Sequence, residues 1–180
     1  MGLGRFCRAV VLAGCLAGCL GGASAAIKPA AAKDANPTAS GLPVPRYVSL
    51  KSDHVNVRAG PTKDNDVAWV YTRSGLPVEI TAEFENWRRV RDSEGAEGWV
   101  YHSLLSGRRT AVITMKSKED LAALYERADS ASAVTARLQV GVVAQVKHCG
   151  SGWCRVSGNG FDGWIEQQRL WGVYADEKVD

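Results

Sequence analysis

GLPVEITAEFENWRRVRDSEGAEGWV, residues 75–100, is answered further along the chain by GVVAQVKHCGSGWCRVSGNGFDGWI, residues 141–165. In each stretch a glycine opens an apolar-alternating run. A Trp follows a polar turn (Trp87, Trp153), and a Gly-Trp pair with an aliphatic residue closes the unit (Gly98-Trp99-Val100, Gly163-Trp164-Ile165). Matched residues stand 65 or 66 positions apart, the length of one small β domain, so the chain reads as a tandem of two related barrels. Val78, Ile80, Ala82 and Phe84 alternate with Glu79, Thr81 and Glu83, the period of a half-buried strand. Ala144 and Val146 take the places of Val78 and Ile80, and Asn159-Gly160 predicts a two-residue primed turn.

Outward from this core the same texture continues. VSLKSDHVNVRAGPT alternates and turns at Gly60-Pro61, and VAWVYTRSG returns as an extended run. TAVITM predicts a linking strand; SKEDLAALYERAD carries at most one helical turn before a strand at Leu124-Tyr125. Residues 26–45, rich in Ala and Pro with almost no bulky apolar side chain, read as a disordered tether, with order beginning near Arg46. The head of the chain, Arg5 and Arg8 followed by AVVLAGCLAGCLGG, has the pattern of a signal peptide with a cleavage motif at Ala23-Ser24-Ala25. Two competing lipobox-like motifs end at Cys15 and Cys19, so a lipid anchor at Cys19 stays open beside cleavage before Ala26. No later segment is apolar and long enough to form a transmembrane helix in the mature chain. The expected division is 1–25 signal peptide, 26–45 linker, 46–108 first barrel and 109–180 second barrel.

Charge narrows the function. With Arg5 and Arg8 removed, 20 of the 22 Lys and Arg stand against 19 Asp and Glu. Residues 46–108 and 109–180 each carry nine of either sign, so neither has the basic excess of a phosphate-backbone binder, and nucleic acid is not an expected partner. Glycine-rich phosphate loops, Gly-x-Ser-x-Gly elbows and His-Glu-x-x-His motifs are missing. His148 and Cys149 are strand neighbours pointing to opposite faces, not a dyad. The chain is expected to be no enzyme and to need no cofactor.

HCGSGWC places Cys149 and Cys154 on either side of a tight turn, and an even pair in an exported chain predicts a disulfide. Two ligands make a poor zinc site, so no metal is expected. With Trp87 laid on Trp153, Cys149 falls on Glu83 and Cys154 on Arg88. The first repeat is therefore expected to hold an opposite-charge pair there, on its solvent face. Trp87, Trp99, Trp153 and Trp164 read as core residues of small domains. The candidate ligand contacts are Trp69, Tyr71 and Tyr101, which have no aromatic counterpart in the second repeat, together with Arg58 in the exposed opening loop.

These residues resemble the bacterial SH3-like (SH3b) family. The first repeat carries VNVRAGPT (Val55 to Thr62), Trp87-Arg88-Arg89-Val90, Gly98-Trp99-Val100 and the closing Leu104-Leu105. The second carries Leu124-Tyr125-Glu126-Arg127-Ala128, Trp153-Cys154-Arg155-Val156, Gly163-Trp164-Ile165 and Leu170-Trp171-Gly172, with Asp129 in place of the Gly-Pro turn. The resemblance spans about Arg46 to Tyr174. It implies an all-β fold of two tandem small SH3-like barrels, and an exported, non-catalytic module recognising peptide or peptidoglycan in the cell envelope, periplasmic or secreted. The alternative is an envelope structural or assembly protein whose barrels hold another protein.

Overall fold

The computed structural model describes residues 39–117 and 120–180. The signal peptide, Cys15, Cys19 and most of the linker lie outside the described residues. Two seven-stranded antiparallel sheets follow one another along the chain. The first contains β1 (Arg46–Leu50), β2 (Val55–Arg58), β3 (Val67–Tyr71), β4 (Pro77–Phe84), β5 (Trp87–Arg91), β6 (Glu97–Tyr101) and β7 (Leu105–Ser106), in the order β3-β2-β6-β5-β4-β1-β7. The second contains β8 (Thr110–Ile113), β9 (Leu121–Tyr125), β10 (Val134–Gln139), β11 (Val143–Gly150), β12 (Trp153–Gly158), β13 (Phe161–Glu166) and β14 (Leu170–Trp171), in the order β10-β9-β13-β12-β11-β8-β14. Position for position the orders are the same. The fold is all-β, a tandem of two small SH3-like barrels, as the repeat predicts.

Each barrel closes on aliphatic side chains. Leu50, Val55, Val57, Tyr71, Val78, Ile80, Val90 and Val100 form one core; Ile113, Leu124, Val146, Val156 and Ile165 are among those of the other. The tryptophans expected there are absent from both clusters. Strand period gives the reason: Gly98 and Val100 face inward on β6, so Trp99 between them faces out. Gly98 itself is required, since a Cβ there would lie 2.4 Å from Val57 Cγ1.

The alternation on β4 also breaks. Ile80 pairs with Val90 but Ala82 pairs with Arg89, which marks a bulge. One extra residue flips every later side chain to the other face. Phe84 is therefore 49 % exposed, while the Glu83 side chain is 1 % exposed. β11 carries the matching bulge between Val146 and His148, and it turns Cys149 into the core. Ser151 and Gly152 both have positive φ, a primed turn that sets Cys149 opposite Cys154. At Asn159-Gly160 the hairpin also has two residues, but only Gly160 has positive φ, so that turn is not primed.

Both ends of the described chain fold back onto these hairpins. Ser40 donates to the Glu83 carboxylate from its backbone N–H (2.8 Å) and its hydroxyl (2.7 Å), so residues 39–45 form a strap against the first barrel. In the second, Val179 exchanges backbone hydrogen bonds with Cys149. The barrels meet around a buried carboxylate: Glu79, 4 % exposed, accepts from Tyr174 Oη at 2.9 Å and from Arg91. Tyr47 packs on Trp171 and Tyr174 beside it. Gly172 completes the seam, because a Cβ there would stand 2.5 Å from the Thr110 carbonyl and 3.2 Å from Pro77.

Candidate functional site

Trp87 opens β5 and Tyr101 ends β6, and the two are directly opposite in the ladder. Both therefore stand on the outer face of the sheet. Their rings meet edge to face at 5.4 Å, an arrangement that leaves an apolar wall. Arg58, at the end of β2, crosses over to pair with Trp99 on β6 and so arrives beside that wall. Asn56, Lys63, Ser103 and Leu104 complete a groove of about 310 Å³ around them.

The loop that follows Arg58 is fixed. Ala59 N–H donates to the Asp66 carbonyl, and Asn65 Nδ2 donates to Thr62 Oγ1 at 2.7 Å. Gly60 makes room for that amide, since a Cβ would fall 2.5 Å from Asn65 Oδ1. Arg58 Nη1 donates to the Asn65 carbonyl at 2.6 Å. Asp64 and Asp66 do not pair with it, so its charge is not cancelled by a carboxylate. The rest of the guanidinium fork is left for an acceptor in the groove.

The four residues singled out from sequence separate into two places. Arg58 and Tyr101 meet in the groove. Tyr71 is 9 % exposed within the core and donates its hydroxyl to Asp92 Oδ2 at 2.9 Å. Burial, followed by that hydrogen bond, pushes its phenol well above the ordinary tyrosine range. Trp69 packs edge-on against Tyr71 at 6.0 Å and leans on the same core. Trp87, assigned to the core from sequence, is buried at 8 % exposed and also walls the groove. Lys63, Asn56 and Ser103 were not identified from sequence. The signal for Trp87 was there: in an antiparallel ladder it shares a face with Tyr101 once Gly98 and Val100 are placed inward.

Cys149 and Cys154 form the expected disulfide, with Cα atoms 4.1 Å apart and both side chains buried. Neither cysteine is available as a nucleophile. Among the described residues no cluster of His, Cys, Asp and Glu has the makings of a metal site, and no helix is long and apolar enough to cross a membrane.

The bacterial SH3 domain family matches twice, at residues 51–107 and 118–172. The chain is a member of the bacterial SH3 family, in tandem. SH3 domains of this bacterial type are non-catalytic modules that bind protein or peptidoglycan, in keeping with a groove that offers contacts and no reacting group. No curated protein matches the chain. Among solved structures, this bacterial SH3 protein is similar to NlpC2 of Trichomonas vaginalis at 15 % identity and TM-score 0.33, over 76 % of this chain and 50 % of that one. NlpC1 of the same organism is similar at 14 % identity and TM-score 0.31, over 72 % and 46 %. An NlpC/P60 family protein from Bacillus cereus is similar at 13 % identity and TM-score 0.28, over 69 % and 55 %. The tandem thus spans about half the length of these chains.

Proposed function

We propose that this chain is exported to the bacterial envelope, periplasmic or secreted, and that its first barrel binds a carboxylate-bearing peptide of the cell wall. The observation that carries the reading is the Arg58–Lys63 pair set against the Trp87–Tyr101 wall. Residues 46–108 carry equal numbers of either charge, yet two cations and no carboxylate line this groove. The free part of the Arg58 fork suits a bidentate carboxylate. The aromatic wall suits the peptide backbone that carries it. The N-terminal pattern of Arg5, Arg8 and Ala23-Ser24-Ala25 supports export.

Two measurements test this. The purified protein should sediment with peptidoglycan sacculi, and calorimetry should detect a peptide ending in a free carboxylate but not its amide. Arg58→Ala and Tyr101→Ala should each weaken binding by about tenfold, the loss of one charge-assisted contact or one aromatic contact, with the circular dichroism unchanged. Failure to sediment, together with capture of one defined envelope protein from an envelope extract by the immobilised chain, would replace the wall ligand with a protein partner.

A further inference from the structure

The groove of the first barrel has a counterpart in the second, and it is lined differently. Tyr125 stands opposite Trp164 as Arg58 stands opposite Trp99, so Ala122 and Ala123 on β9 take the places of Val55 and Asn56 on β2. Glu166 stands opposite Trp153 as Tyr101 stands opposite Trp87. The short helical turns that follow, His102–Leu104 and Gln167–Arg169, put Arg169 in the place of Leu104. Ala123, Tyr125, Glu166 and Arg169 are thus the counterparts of Asn56, Arg58, Tyr101 and Leu104 around the first groove. All of them line one pocket of about 150 Å³.

A change in the core makes the space. Val55 and Ala122 are both buried, each in the core of its own barrel, but the alanine lacks the methyl groups with which Val55 fills this place. Met115, Leu121 and Ile165 wall the opening, and Leu121 is left 48 % exposed beside it. An apolar cavity of about this volume stays dry and admits an apolar guest as large as benzene.

The charges at its mouth cancel. Glu166 and Arg169, both partly exposed, are paired through Oε2 and Nε at 3.0 Å, and Arg169 Nη1 lies 3.2 Å from Met115 Sδ. An ionic ligand therefore finds no uncancelled charge, in contrast to the Arg58 and Lys63 of the first groove. The pair leaves over one donor and one acceptor: Arg169 Nη2 and Glu166 Oε1 make no hydrogen bond to the described residues. A peptide group presents one acceptor and one donor in return.

We propose that this pocket of the second barrel binds an uncharged, branched aliphatic side chain of a peptide, of valine or leucine size. The alkyl group enters among Met115, Leu121, Ala122 and Ile165, and the backbone that carries it lies across the Glu166–Arg169 pair. An unbranched acyl chain would bring no row of amides to that pair. The site shares no residue with the first groove, and it stands whether or not that groove takes a carboxylate.

Met1 and Met115 are the methionines of the chain, so methionine labelled with ¹³C at its methyl places a reporter in the pocket, and Met115→Leu assigns its signal. The probes are the N-acetyl methylamides of leucine, glycine, lysine and glutamate, with hexanamide as the acyl control, titrated by NMR into the oxidised full chain. The expected result is a saturable shift of the Met115 methyl and of the Ala122 and Ala123 amides with the leucine probe. The glycine probe should bind about tenfold more weakly or worse, the loss of one buried aliphatic side chain. Lysine and glutamate should do no better than glycine. Ala122→Val, which copies Val55, should fill the pocket and abolish the shift. Ala123→Val crowds the same space from the neighbouring position and keeps the test open if Ala122→Val fails to fold. Arg58→Ala should leave the leucine titration unchanged, which separates this site from the first groove. Equal binding of the glycine, lysine or glutamate probe, tighter binding of hexanamide, leucine binding that survives both filled variants, or no shift with any probe overturns the proposal.

Discussion

Glu83 occupies the place that Cys149 holds in the second barrel, and Arg88 the place of Cys154; each pair is directly cross-strand. The expected solvent-face pair is instead enclosed. Glu83 and Arg88 are in contact at 3.1 Å with side chains 1 % and 9 % exposed, and Arg46 and Ser40 close over the carboxylate. Burial alone pushes the Glu83 carboxyl up, but the hydrogen bonds from Ser40 and Arg46 more than offset it and hold the group below its usual range. A depressed folded value means that this stabilisation is complete above the ordinary carboxylate range and is lost as pH falls through the folded value. Glu83→Ala should therefore cost about 3 kcal/mol in urea unfolding at neutral pH, as expected when a buried pair is broken. The same comparison in acid should show a much smaller difference. The pairing of these positions was legible from the alignment of the two Trp residues. Their burial was not, because it depends on a one-residue bulge and on a strap from a segment that resembles a tether.

At the level of the hairpin, β4–β5 and β11–β12 are built alike and each is covered by a different end of the chain. Val179 is 8 % exposed, and it receives the Cys149 N–H at 2.8 Å and returns its own at 3.2 Å. Truncation after Lys178 should remove about 1.5–3 kcal/mol of apolar burial. It should also expose the Cys149 amide to hydrogen exchange and speed reduction of the disulfide by dithiothreitol. Equal reduction rates for full-length and truncated protein would mean the tail does not shield the bond. The strands and turns of these hairpins were readable from period two and from the glycines. The facing of Trp87 and Phe84 was not: alternation gives a phase only relative to an inward residue, and each bulge resets it. The groove was accordingly half legible, with Arg58 and Tyr101 singled out and Trp87 read as buried, as it is, but not as a wall of the groove.

Across the whole molecule, the two barrels share the Tyr174–Glu79–Arg91 contact, and Arg73 Nη1 reaches the Gly141 carbonyl at 3.0 Å. Burial first, then the bond to Glu79, pushes the Tyr174 phenol far above its ordinary value. A raised folded value gives stabilisation that is full below the ordinary tyrosine pKa of about 10 and is lost as pH climbs through the folded value. Tyr174→Phe leaves one oxygen of a buried carboxylate without its donor and should cost about 1–3 kcal/mol. Thermal unfolding of that variant should be broader than that of the parent, or split, as the contact between the barrels weakens, and ultraviolet titration of the parent should show Tyr174 ionising only as the fold is lost. The seam left little trace in the sequence, since Glu79 reads as one more polar residue of an alternating strand until a second barrel is set against it.

The strap has a mechanical consequence. A pull on the chain ahead of Ala39 meets the Ser40–Glu83 clasp before it meets any strand. From there it passes through Arg46 into β1, which is laced along its length to β4. Load applied along paired strands is shared by several hydrogen bonds at once and resists more force than load that peels them one by one. If the first groove is holding the wall, a pull from the N-terminal side of Ala39 runs to the ligand through one barrel only. The second barrel, with its buried disulfide, lies outside the path of that force.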